Sequence, residues 1–356
     1  MTYLILNITM LFILITCSIA RYNTVLFNRY YNIFIGMILF ILSCIWIGLR
    51  DYDVFPDTIV YYNVYEQVSQ LNLSDSLEVI RYENSFVFLQ WFSAYIGIPS
   101  RVFMLLIYIL FLGTIVIGLR KIFKQYLIFI LFIYINFPFF IALGGNIIRH
   151  GISLAFLLLA IATLMEKNKK TKGYYLYLII SGLFHYSALP IVVIMFLFNF
   201  IKTKVTTILV FWLICLTLFL FKISDVILKI FPHVIQLDTY SSESTLAMYG
   251  SNYRIDFLIF SSTFLIFGLF INYFVYKNEN SSYSLILNMY MIFNSYFLIM
   301  GFIAFSDRVA IFSWMLIPML VFFPVFTLNK RYPFVIALLI TISFFGLCYL
   351  NLDMFN

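Results

Sequence analysis

Residues 102–119 read VFMLLIYILFLGTIVIGL, a stretch without a single charged side chain. A helix needs roughly 20 such residues to cross the hydrocarbon core of a bilayer. Lipid offers no partners to backbone N–H and C=O groups, so only helices and closed barrels can span it. Barrel strands alternate apolar and polar positions over about 10 residues. Residues 102–119 and 255–276 are continuously apolar and do not alternate, which predicts helices. Working outward, similar runs occupy 2–20, 30–49, 126–143, 147–165, 174–186, 188–201, 205–222, 283–303, 309–328 and 333–350. The expectation is an all-α, polytopic integral membrane protein with about 12 transmembrane helices. Asn84–Ile98 adds a re-entrant or short helix.

Composition agrees. Of 356 residues, 64% are hydrophobic and 10% are charged, whereas soluble domains carry about 25% charged residues. A chain this apolar cannot coat a water-soluble surface. It reads as one membrane domain over residues 1–356, with outer loops near 50–83 and 223–254. The first span has no basic leader and no small-residue cleavage site, so it reads as retained. Cys17, Cys44, Cys215 and Cys348 each stand alone in an apolar run, which indicates neither a disulfide framework nor a zinc site. No metal, cofactor or nucleic-acid partner is expected; membrane lipids are.

Charge sets the orientation. If Asn84–Ile98 does not span and His185–Pro190 is a hairpin tip, one face gathers 14 basic residues against only Glu166 and Glu279. The other face holds the remaining 8 basic and 13 acidic residues. The balances are +12 and −5, which make up the net +7 of the chain. Lys and Arg concentrate in cytoplasmic loops, so the first face is cytoplasmic. Both termini and the chemically capable residues fall outside.

Ionisable residues close to apolar spans are expensive and therefore candidates for function. The first group is Gly48-Leu49-Arg50-Asp51-Tyr52-Asp53 with Asp57, Tyr61 and Tyr62. Arg50 could bind phosphate or carboxylate, and the aspartates could act as base or bind sugar hydroxyls. A solvated Arg–Asp pair is the plain alternative. In Arg81-Tyr82-Glu83-Asn84-Ser85-Phe86, desolvation at the lipid boundary would raise the Glu83 carboxyl and suit it to proton transfer. A helix N-terminus that simply favours negative charge is the other reading.

In Gly144-Gly145-Asn146-Ile147-Ile148-Arg149-His150-Gly151 the glycines end one helix and Asn146 is placed to cap the next. Arg149 then lies in the first turn beside free N–H groups, a good anion site with no acid nearby in sequence. Snorkelling to a lipid headgroup is the alternative. His185, in Gly182-Leu183-Phe184-His185-Tyr186-Ser187, is a proton carrier or a packing residue. Asp307–Arg308 is a local ion pair, or Arg308 is a second anion ligand. The combination suits an anionic, lipid-linked substrate bearing sugars.

These groups resemble the EpsG / Wzy-type polysaccharide (O-antigen) polymerase family over about residues 45–315. The resemblance rests on Gly48-Leu49-Arg50-Asp51 with Asp57 and Tyr61-Tyr62, Glu83-Asn84-Ser85-Phe86, Arg149-His150-Gly151-Ile152-Ser153, Phe184-His185-Tyr186-Ser187-Ala188, and Arg308. His150 and Ser85 stand where that family often has Gln and Gly. The resemblance implies a glycosyltransferase at the periplasmic face of a bacterial inner membrane. It would move a growing glycan from undecaprenyl pyrophosphate onto a lipid-linked repeat unit. Glu83, His185 and Asp57 are then the candidates for proton transfer. Arg149, Arg308 and Arg50 would hold pyrophosphate, and Asp51, Tyr61, Tyr62 and His150 the glycan. A chain-length regulator protein is an expected partner. A flippase or transporter of lipid-linked oligosaccharide and a membrane acyltransferase acting on glycan are the competing readings.

Overall fold

The computed structural model describes residues 29–198, 203–223 and 252–328. The expected spans at 2–20 and 333–350, and most of the loop near 223–254, lie outside these residues. Helix accounts for 81% of the structure and no strand occurs among the described residues, as the continuous apolar runs require. Contacts divide the chain into two compact units, the first running to Phe196 and the second covering Leu197–Leu328.

In the first unit α1 (Arg29–Ser43) continues into a π-helical turn, Cys44–Gly48. The expected loop at 50–83 is itself largely helical, with α2 (Pro56–Ser69) and α3 (Leu73–Val79). Next come α4 (Asn84–Tyr95), α5 (Ser100–Phe123), α6 (Leu127–Ile135), α7 (Pro138–Gly145), α8 (Ile148–Lys167), α9 (Lys172–Phe184) and α10 (Leu189–Leu197). The central helix is α8, packed between α5 and α9. Gly151 lets α8 approach α7 closely: a Cβ would stand 2.2 Å from the carbonyl oxygen of Leu143. The second unit holds α11 (Val205–Leu220), α12 (Ile255–Phe270), α13 (Ser281–Ile299), α14 (Ser306–Trp314) and α15 (Ile317–Leu328). Its centre is α13, in which every residue from Leu285 to Leu298 is buried.

The count of about twelve spans is not reached among the described residues. Four helices are long and apolar enough to cross a membrane, or five if α6 and α7 form one span bent by 73°. The reason is that the sequence breaks its apolar runs. Pro138 has no N–H for the α6 ladder and starts a new helix, while the Asn136 side chain donates to the Phe132 carbonyl at 2.9 Å. Asn84–Ile98 forms a helix of only 12 residues. Gly97, at φ +80°, turns the chain away behind it. Spanning helices wear their apolar side chains outward: Val102, Leu106, Ile109 and Ile117 stand exposed along α5.

The length of α8 separates two kinds of charge. At one end Glu166 accepts from Lys121 at 2.7 Å, amid the basic run expected on the cytoplasmic face. At the other end sits Arg149. Both lie on the one helix Ile148–Lys167, 17 residues apart, which puts about 25 Å between them.

Candidate functional site

Glu83 occupies the N-cap position of α4, yet its carboxylate caps nothing there. It turns inward, 4% exposed, and each oxygen takes a different partner. Oε2 accepts from Arg149 Nη1 at the first turn of α8. Oε1 lies 2.7 Å from His185 Nδ1, in the break between α9 and α10, and also accepts from the Tyr186 backbone N–H at 3.4 Å. One carboxylate thus joins elements 66 and 102 residues away.

The surroundings hold this node in place. The Arg149 guanidinium lies 4.0 Å above the Tyr82 ring, with the Tyr61 phenol within electrostatic reach. Ser85 Oγ donates to the Leu183 carbonyl at 2.5 Å, tying the start of α4 to the end of α9. The ring of His150 lies 4.7 Å from that of His185.

Here the structure corrects two expectations. Arg149 is not an unneutralised cation, because Glu83 arrives from a distant part of the chain. Nor is the Glu83 carboxyl raised. Burial alone pushes it up, but the His185 hydrogen bond and the Arg149 charge outweigh burial and hold it at about 2. Glu83 is therefore a fixed anion, poorly suited to accept a proton near neutral pH. A carboxylate on one ring nitrogen orients a histidine and stabilises its protonated form. That leaves His185 as the better proton acceptor of the pair.

Asn146 also differs from expectation. Ile147, not Asn146, occupies the N-cap position of α8. The Asn146 side chain instead accepts from the Asp57 backbone N–H at 2.8 Å, satisfying a free donor at the start of α2. This contact seats α2 against the cluster and puts Asp57 and Tyr61, four residues apart, on one helical face.

Arg50 lies on the other flank of α2. It is 5% exposed, far from the solvated loop reading. Nε donates to Thr58 Oγ1 at 3.1 Å and Nη1 to the Ile47 carbonyl at 2.8 Å, an acceptor left over at the π-helical end. Burial pulls the Arg50 guanidinium down to about 10.

The remaining residues scatter. Asp51 is exposed and pairs with Arg101 at 3.0 Å, a partner the sequence reading missed. Tyr61, Tyr62 and His150 are buried at 5%, 5% and 2% exposure, so their rings face protein and not an open glycan surface. Arg308 belongs to the second unit, over the Phe305 ring at 4.4 Å. Among the described residues no group of three His, Cys, Asp or Glu could hold a metal ion. Tyr82 and Thr58 were missed as well; the only sequence signal for Tyr82 was its place beside Glu83.

The model of the EpsG family matches residues 33–355, nearly the whole chain, and takes in every residue of this cluster. The chain belongs to the EpsG family. No curated protein and no solved structure matches it. Membership in the EpsG family suggests a polysaccharide polymerase-type function, and together with the apolar helices makes this a multi-pass membrane protein.

Proposed function

We propose that this EpsG-family chain is a glycosyltransferase that polymerises lipid-linked glycan at the periplasmic face of a bacterial inner membrane. The donor is a growing glycan on undecaprenyl pyrophosphate and the acceptor a lipid-linked repeat unit of O-antigen or a similar surface polysaccharide. The observation that carries the reading is the convergence of Arg149 and His185 on the single carboxylate of Glu83.

The acceptor sugar's hydroxyl oxygen attacks the anomeric carbon of the donor. The bond from that carbon to the pyrophosphate oxygen breaks, and its electron pair leaves with the pyrophosphate. The hydroxyl proton passes to His185, which Glu83 orients and stabilises as a cation. Asp57 is the alternative acceptor from the same face. Arg149 and Arg50 are proposed to meet the pyrophosphate, whose departure concentrates negative charge; Arg308, in the second unit, is proposed as an anion ligand in its own right. Asp51, Tyr61, Tyr62 and His150 are proposed for the glycan; the last three would have to be uncovered first. A chain-length regulator is the proposed protein partner.

Deletion of the gene, followed by gel analysis of surface polysaccharide, tests the reading. A polymerase leaves a lipid carrier or core bearing one repeat unit and no ladder. Loss of that single unit as well would contradict polymerisation and point to transport of the lipid-linked oligosaccharide.

A further inference from the structure

Helix α4 is inside out by the standard of a helix that folds in water. Its buried stripe is Phe86, Val87, Gln90 and Ser93, half of it polar, whereas Phe88, Phe92, Tyr95 and Ile96 stand exposed. A helix on a soluble protein turns its apolar stripe to the core and its polar residues to solvent. The exposed side of α4 is an aromatic ladder. The Phe88 and Phe92 rings stack at 6.1 Å, the Trp91 and Tyr95 rings at 5.2 Å, and Tyr95 is 75% exposed. No charged side chain occurs from Asn84 to Ser100.

The two ends of α4 fix its direction. At the start, the Phe86 ring lies 6.0 Å from that of Phe103, in the first turn of α5. At the end, the Gly97 N–H donates to the Ala94 carbonyl at 2.9 Å and the Ile98 N–H to the Ser93 carbonyl at 3.0 Å. The chain therefore stays folded against the last turn of α4 until Pro99, the residue before α5. Tyr65 of α2 bridges the same level: its hydroxyl donates to the Ile98 carbonyl at 2.6 Å and its ring lies 4.9 Å from that of Phe103. Had α4 run back along α5 as a hairpin, Phe86 would stand about three turns below Ser100, well past Phe103. It lies instead across the end of α5, packed on α2 and α3. This is the end opposite Lys121 and Glu166.

We propose that α4 is an in-plane membrane anchor, lying along the lipid surface at this end of the bundle with Phe88, Phe92 and Tyr95 set in the headgroup layer. Depth follows from direction. The 24 residues of α5 measure about 36 Å against a hydrocarbon core of about 30 Å, so its first turn, and α4 with it, stands among headgroups. Lipid is the medium at this border, because α4 leads directly into a helix whose Val102, Leu106 and Ile109 face outward. Trp and Tyr gather at the headgroup level, where an apolar ring and a polar tip are both satisfied. Glu83 is the cap residue of α4, so the anchor sets the depth of the Arg149–Glu83–His185 cluster at the headgroup layer. The anchor stands whether or not the chain polymerises glycan.

The test uses the full chain reconstituted in phosphatidylcholine vesicles whose acyl chains carry bromine either near the headgroup or near the terminal methyl. Bromine quenches a nearby indole. Tyr95→Trp adds an indole on the exposed side, Phe92→Trp adds one at a second position there, and the emission of the wild-type chain with its own four tryptophans is subtracted. Both positions are exposed, so neither change alters the core. The anchor predicts that at both positions the added emission loses more to the shallow bromines than to the deep ones. Equal or greater loss to the deep bromines would make α4 a re-entrant element and overturn the proposal. So would no loss to either, because water or another protein would then cover the aromatic side.

Discussion

In the unit that ends at Phe196, the buried polar groups include charged ones: Glu83 and Arg50 are buried, and Arg149, paired with Glu83, keeps 20% of its side-chain surface open. Among the described residues of the unit Leu197–Leu328 the fully buried polar groups are neutral, Asp307 and Arg308 being only half-buried. Trp212 Nε1 donates to Asn294 Oδ1 at 2.8 Å, and Asn294 Nδ2 to Ser313 Oγ at 3.4 Å. Trp314 Nε1 donates to Ser261 Oγ at 2.8 Å, and the Tyr290 hydroxyl to the Ser261 carbonyl at 2.7 Å. Among its described residues the ion pair is Arg254 with Asp256, which keeps 25% and 30% of its side-chain surface open. A neutral network cross-links helices and is modest in energy. A buried charged one is expensive, and its presence argues for work beyond holding helices together. The contrast separates polar groups that build the fold from polar groups that act.

The largest effect should come from breaking the charged node. Arg149→Ala leaves Glu83 buried without its counter-charge and should cost about 3–5 kcal/mol of stability, read as a fall in the unfolding midpoint of the chain in detergent. Changing both partners, Glu83→Gln with Arg149→Gln, should recover much of that loss and still make no polymer. Recovered polymer would put the pair among the structural groups.

Asn294→Leu in the neutral network should cost only about 1 kcal/mol, and the polysaccharide ladder per folded molecule should not change. A lost ladder at normal protein level would erase the contrast from the other side.

The smallest effect concerns pH. Glu83 titrates at about 2 in the folded chain against 4.5 ordinarily. Because the folded value is the lower, its stabilisation is fully present above about 4.5 and fades only as pH falls towards 2. The stability gap between wild type and Glu83→Gln should therefore be flat from pH 7 to 5 and narrow below that. A gap closing between pH 7 and 6 would move the titration away from Glu83.

The sequence carried the class of fold because lipid constrains composition along the whole chain: a charge-free run such as 102–119 has little alternative to a spanning helix. It also pointed to Glu83, Arg149 and His185, since an ionisable residue beside an apolar run stands out locally. Their pairing was hidden. Glu83 meets residues 66 and 102 positions away, and such contacts leave no periodicity to read. Asn146 shows the same limit: its capping side chain was recognised, but it serves α2 rather than the helix that follows it. The short helix at Asn84–Ile98 and the break at His185 were legible, whereas the sharp bend at Pro138 was not, and the count of about twelve spans is not reached among the described residues.

The account turns on the Glu83 carboxylate, and Glu83→Gln tests it most directly. The variant keeps the shape of the side chain, and its level in the membrane can be matched to wild type by immunoblot before surface polysaccharide is run on a gel. The prediction is glycan with a single repeat unit and no ladder. A wild-type ladder from the variant would contradict the assignment of Glu83 as the residue that orients His185 for proton transfer.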